Sequence, residues 1–357
     1  MFKNKHLDTL VYLRGFCAFA VVLGHSRFLN KQVDISSGYS LGWFERLILL
    51  PTSLAEEAVS VFFLISGFLV GQQTFERVKL KEFSWGRFLI DRLSRYWTVL
   101  LPGLVITYLF SKISVTSDVS FNSKKIFYEA FCNCFFLMSA RCSPFQNNNS
   151  LWSLGYEFFF YLIFALVINA AFSPNYKKKI SYLILTLIII ALFGPNILIL
   201  MPAWLFGFFI SLIYQKTKIL VFLKNKKNRV IIYILFGLSF FLPNILNLSQ
   251  FNTIIMSAIS VSPIFLILIT VLRDWKFQSK TINLFLIYLG NTSFSIYVFH
   301  VPIIQFIYRI RTPLSNDKEI LFIYFTAILS AFISSIFYFF FEKYTRNVRY
   351  ILNRAFE

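Results

Sequence analysis

The sequence predicts an all-α, polytopic transmembrane helical bundle of about ten spans with both termini on the cytoplasmic side. Three observations carry that expectation. Of the 357 residues, 57% are hydrophobic and only 14% charged, far from the usage of soluble domains. The apolar residues gather in runs of about 20, the length a helix needs to cross a bilayer. The Lys and Arg residues behind the net charge of +19 fall between those runs and mostly on alternate connections, as topology determinants do. Membrane lipids are therefore the expected immediate partner, and nucleic acid is not expected.

The first run spans 10–29, and residues 3 to 23 have a basic start and an apolar middle. It carries Arg14, lacks a small-residue cleavage site and continues into His25, so it reads as a retained span rather than a removable signal peptide. Cys17, inside the membrane, reads as a small packing residue. The second run, 51–71, is bulky except at Ser66 and Gly67, where small residues mark close helix contact or, alternatively, backbone access for a ligand. Runs 96–114 and 151–172 supply spans three and four. The connection between them, about 113–150, is the longest outer segment and holds Cys132, Cys134 and Cys142. One disulfide there suits an oxidising compartment, whereas a metal site does not fit three thiols with no histidine nearby. Within that segment Ile126 to Met138 is a candidate interfacial helix, and Gln146-Asn-Asn-Asn-Ser150 reads as a loop ending at span four.

Runs 180–194 and 197–215 meet at Gly194-Pro195-Asn196, either a tight turn between spans or a break within one long helix. Charge arbitrates: two separate spans keep the basic run Lys224-Asn-Lys-Lys-Asn-Arg229 on the inner side, and one merged span would flip it outward. Runs 230–246, 252–272, 284–308 and 320–341 complete the set. With no internal repeat, the chain reads as a single integral membrane domain over 1–357.

Polar residues inside these runs carry the functional signal. Arg14 and His25 stand eleven positions apart, which brings both to one helix face about 16 Å apart along the axis. A charge in lipid costs several kcal/mol, so the pair argues for a polar path or a reaction site. The alternative is that Arg14 snorkels to the interface and His25 is a satisfied interior histidine. With span one running outward, span four inward and span nine outward, His25, Glu157 and His300 are expected to share a layer in the outer third of the membrane. At the cytoplasmic side, Arg87, Arg92 and Arg95 precede span three. Arginine forks there suit the phosphates of a cytosolic donor, or fix topology and touch anionic headgroups.

Four stretches together resemble the membrane-bound acyltransferase family 3: the Leu13-Arg14-Gly15 to Gly24-His25 pattern, Phe62-Phe63-Leu-Ile-Ser66-Gly67-Phe68-Leu69, Leu151-Trp152-Ser153-Leu154-Gly-Tyr156-Glu157 through Tyr161, and Leu289-Gly290 through His300-Val-Pro302. They run in family order from the first span to the ninth. Two positions depart from the pattern: Ala58 replaces a usual glycine, and Asp91 interrupts the arginine pair before span three. The end of the chain after span ten suggests the standalone form.

The resemblance implies a bacterial inner-membrane O-acetyltransferase-like protein that takes an acetyl or other short acyl group from cytoplasmic acyl-CoA, a co-substrate rather than a resident cofactor. The acceptor implied is a hydroxyl of a surface polysaccharide or lipid-linked glycan, such as lipopolysaccharide, on the outer side. Arg14, Arg92 and Arg95, with Ser66, would hold the donor. His25 would act as general base, Glu157 would orient or charge-stabilise an imidazole, and Arg14 belongs to the same catalytic set. His300 is a competing base or an acceptor ligand, and Trp152 and Tyr156 either contact the sugar or belong to the aromatic belt. A covalent acyl-histidine relay is a further route. The rival reading is a multi-pass transporter or flippase lined by the same charges.

Overall fold

The computed structural model describes residues 7–30, 42–113, 123–214, 225, 230–231, 254–259, 261–262, 264–265, 279–310 and 316–356. Among them the chain is all-α, and the sole extended pairing is an isolated bridge between Met138 and Cys142. The helices are α1 (Leu7–Leu29), α2 (Trp43–Leu49), α3 (Ala55–Ser66), α4 (Gln72–Lys79), α5 (Trp85–Ile113), α6 (Ser123–Cys134), α7 (Trp152–Phe172), α8 (Tyr176–Phe193), α9 (Pro195–Tyr214), α10 (Lys280–Asn291), α11 (Ser293–Ile310), α12 (Asn316–Phe340) and α13 (Thr345–Phe356). Seven stretches among the described residues are long and apolar enough to cross a membrane: Thr9–Leu29, Trp43–Lys79, Trp85–Ile113, Asn149–Phe172, Pro195–Tyr214, Ser293–Ile310 and Lys318–Ala355. The chain is thus a multi-pass membrane protein, as its composition requires.

Several boundaries differ from the sequence expectation for identifiable reasons. The ninth run, expected as one span over 284–308, is two helices, α10 and α11, separated at Thr292. The Thr292 hydroxyl donates to the carbonyls of Tyr288 and Leu289, while its backbone N–H keeps the helical bond to Tyr288, so the interruption is confined to one residue. Helix α5 starts at Trp85, so Arg87, Arg92 and Arg95 lie within its first turns rather than before it. Between α8 and α9 the chain turns at Gly194, with Pro195 opening the next helix, where its missing N–H costs nothing. Gly194-Pro195-Asn196 therefore ends one helix and opens the next. Runs 230–246 and 252–272 lie mostly outside the described residues.

The chain divides into two compact units. The first comprises Met1–Arg14, Glu56–Ser84 and Tyr156–Ile287. Its centre is the crossing of α9 with the end of α3 and the π-helical turn Gly67–Gly71 that continues it. A Cβ on Gly67 would overlap the Trp204 carbonyl, and one on Gly207 would overlap the Leu64 carbonyl. Two glycines facing opposite backbones let the helices touch, the packing that small residues permit in lipid. That contact bears out the structural reading of Gly67. Leu10, Leu64, Ile65, Phe68, Ile210, Tyr214 and Phe265 form the apolar cluster beside it.

The second unit comprises Gly15–Ala55, Trp85–Gly155 and Tyr288–Glu357. Here α11 packs along α12 and on α5, and α13 packs on the start of α5. Asp91 accepts an ion pair from Arg349 of α13 at 3.2 Å, and the same Nε lies 3.4 Å from Ser94 Oγ. Asp91 is thereby explained as a partner for α13. In the outer segment α6 exposes Phe127, Tyr128 and Phe131, and Cys132 is joined to Cys142 while Cys134 is a free thiol. The loop then closes through short 3₁₀ turns into α7, and Cys17 is buried in α1.

Candidate active site

In the second unit two of the expected residues meet. His300 Nε2 and His25 Nδ1 are 3.0 Å apart, and the ring centroids are 5.0 Å apart. His300 is fully buried, and His25 is partly buried. Each ring also lies against the carbonyl one helical turn back: His25 Nδ1 is 3.1 Å from the Val21 oxygen and His300 Nδ1 is 2.9 Å from the Ile296 oxygen.

The segments that carry these rings are tied down on either side. Ser26 Oγ donates to the Ile323 carbonyl, Tyr308 Oη donates to the Ser26 carbonyl, and buried Asn30 donates to Glu319 at 2.9 Å. Arg27 donates to Thr52. On α11, Pro302 has no N–H, so the Val298 carbonyl four residues earlier loses its helical donor. Asn148 Nδ2 supplies a replacement at 3.0 Å and is itself fully buried, its Oδ1 accepting from Ser150 at 2.7 Å. At the start of α11, Glu342 accepts from both the backbone N–H and the hydroxyl of Ser295, filling the role of an N-terminal cap. Tyr297, one turn before His300, shares a 2.6 Å hydrogen bond with Ser153. The His300 imidazole thus sits on a helix fixed at three levels.

A second network lies in the first unit. Tyr161 Oη donates to Glu157 Oε1 at 2.8 Å. Because that uses the only phenolic proton, Ser66 Oγ donates to Tyr161 across their 2.8 Å contact, and Trp204 Nε1 donates to Ser66 Oγ at 3.1 Å. Three donors in series therefore end on the Glu157 carboxylate, each polarising the next. The Gly67–Gly207 crossing brings Ser66 and Trp204 within reach of one another.

The remaining expected residues fall as follows. Tyr156 is buried in the first unit against Phe160 and Phe193, with its hydroxyl hydrogen-bonded to Asn196. Trp152 is partly buried in the second. Arg14 is partly buried in the first unit; in the second, Arg92 lies 5.2 Å over the Phe88 ring, Arg95 is exposed, and Arg87 is exposed. Sequence reasoning did not assign roles to Tyr161, Trp204, Ser153, Tyr297 or Asn148. Tyr161 was detectable as the i+4 neighbour of Glu157, and the loss of a donor at Pro302 foretells that some polar group must reach Val298.

Among the described residues no cluster of three or more His, Cys, Asp or Glu forms a metal-binding group. The second unit thus joins two imidazoles by a hydrogen bond, and in the first unit a series of donors ends on the Glu157 carboxyl group. No curated protein and no solved structure matches the chain significantly. A family model described as an acyltransferase domain matches residues 7–339, which takes in all four resembling stretches, the His25–His300 pair and the series from Trp204 to Glu157. The chain belongs to acyltransferase family 3, and acyl transfer is the activity that membership assigns to it.

Proposed function

We propose that this membrane protein transfers an acetyl or other short acyl group from cytoplasmic acyl-CoA to a hydroxyl of a surface polysaccharide or lipid-linked glycan on the outer side of a bacterial inner membrane. The observation that supports this most directly is the hydrogen-bonded His25–His300 pair in a chain of the acyltransferase family. A hydroxyl is a poor nucleophile until its proton is removed, and a positioned imidazole accelerates such a step about 10²- to 10⁴-fold. His25 takes that proton as the hydroxyl oxygen bonds to the acyl carbon, the C–S bond breaks and the coenzyme thiolate leaves carrying the electron pair. Glu157 is the proposed catalytic carboxylate, and Ser66 acts on it through Tyr161.

Donor phosphates are proposed to bind Arg14, Arg92 and Arg95, whose guanidinium forks match phosphate oxygens. Trp152 and Tyr156 are proposed acceptor contacts. Membership in the acyltransferase family favours this reading over transport, because a transport path does not need an imidazole held in one geometry by a neutral partner.

The test is the acyl content of surface glycan, measured by mass spectrometry in cells making the intact chain or His25→Ala at equal membrane abundance. Loss of an acetyl-sized increment with normal glycan export is expected. Unchanged acylation removes His25 from the mechanism, and lost glycan export favours the transporter.

A further inference from the structure

We infer that His300 is a positioning residue that sets the tautomer of His25, so that the nitrogen of His25 left free to accept a proton is Nε2. Two backbone carbonyls decide where the protons lie. A carbonyl oxygen only accepts, so the nitrogen 2.9 Å from Ile296 O is the one that carries the proton in neutral His300. Its other nitrogen, Nε2, is then bare and faces His25 Nδ1 at 3.0 Å as an acceptor. His25 Nδ1, which also lies 3.1 Å from Val21 O, therefore bears the hydrogen and shares it between two acceptors. The opposite assignment fails twice, because it points a bare nitrogen of each ring at a carbonyl lone pair. In the neutral pair His25 Nε2 is unprotonated.

This is the arrangement a general base requires, and it reproduces with an imidazole what a carboxylate does for the histidine of a serine-hydrolase triad. The rotation of His300 is fixed through α11, which Asn148 secures at Val298 and Glu342 secures at Ser295. During transfer His25 Nε2 accepts the hydroxyl proton as the ester bond forms and the thioester C–S bond breaks, then returns it to the thiolate. His25 Nδ1–H stays bonded to His300 Nε2 throughout. His300 neither gains nor loses a proton, which distinguishes this role from that of a second base or a sugar ligand. The catalytic part of the inference rests on the acyl-transfer reading above; the proton arrangement does not.

The chain has only three histidines, so ¹⁵N-histidine labelling of the full-length protein in lipid nanodiscs, with His6→Gln to remove the third, gives separable signals. At a pH where both rings are neutral, protonated-type Nδ1 and bare-type Nε2 signals are expected for both His25 and His300. In His300→Leu the His25 signals should shift toward a mixture of tautomers, with kcat down roughly 10- to 100-fold and KM within about twofold. His300→Gln, whose carbonyl can accept from His25 Nδ1, should restore the tautomer and most of kcat.

A protonated Nε2 on His25 in the intact chain overturns the inference, as does an unchanged His25 tautomer in His300→Leu. So does a His300→Gln variant that regains the tautomer without regaining kcat. If the predicted tautomers appear but the intact protein transfers no acyl group, the pairing stands and the acyl-transfer reading fails.

Discussion

The two units are held together by different physics. In the first, α3 and α9 meet backbone to backbone because Gly67 and Gly207 carry no side chains, and the polar chain from Trp204 through Ser66 and Tyr161 to Glu157 follows from that closeness. In the second, hydrogen bonds repair what the sequence withholds: Asn148 replaces the donor missing at Pro302, and Glu342 covers the start of α11. The first unit is sensitive to volume, and the second to polarity. The chemistry divides the same way, with a carboxylate fixed by donors in the first and an imidazole pair fixed by acceptors in the second.

Substitutions that respect this contrast should separate the two. Gly207→Val places methyl groups against the Leu64 carbonyl, and overpacking of this kind costs on the order of 3 kcal/mol. The amount of folded protein extracted from membranes, followed by size-exclusion profile and thermal unfolding, should fall sharply. If Gly207→Val is as stable as the parent, backbone contact is not what holds the first unit. Next in size is Asn148→Leu, which is close in volume but leaves the buried Val298 carbonyl without its donor. The expected loss is about 1–3 kcal/mol, accompanied by slower transfer because α11 carries His300. An unaltered melting temperature would show that the repair at Pro302 is dispensable. Tyr161→Phe has the smallest effect on stability but a selective effect on activity. It removes the hydroxyl that donates to Glu157, a bond worth about 1 kcal/mol to stability, so the melting temperature should fall only slightly while transfer slows about tenfold or more. Equal activity in Tyr161→Phe would separate Glu157 from its network.

Much of the helical framework and part of the site were legible in the sequence, and the reasons the rest was not are physical. Length of apolar runs is a strong signal because a bilayer has a fixed thickness, and it located α1, α5, α7, α9, α11 and α12. The break at Thr292 escaped because an apolar run looks the same whether its backbone is continuous or interrupted. His25 and His300 were singled out as costly groups at one depth, and the structure brings them into direct hydrogen-bonding contact. Depth could not say which nitrogens face each other, since that depends on the rotation of two helices about their own axes. Gly67 announced a close crossing, but its counterpart Gly207 lies 140 positions away and nothing local links them. Tyr161 was hidden for a simpler reason: among 18 tyrosines and 46 phenylalanines, one hydroxyl at i+4 from a carboxylate does not stand out.

The most direct test of the central claim uses sealed inverted membrane vesicles, whose outer face is the cytoplasmic one, supplied with acetyl-labelled coenzyme A and containing the acceptor glycan. With the intact chain, label is expected to accumulate in the enclosed glycan as free coenzyme is released in equal amount, and His25→Ala should lower that rate by about 10²-fold or more. Label that enters the vesicles without becoming bound to glycan, or incorporation that is the same in His25→Ala, would contradict the account.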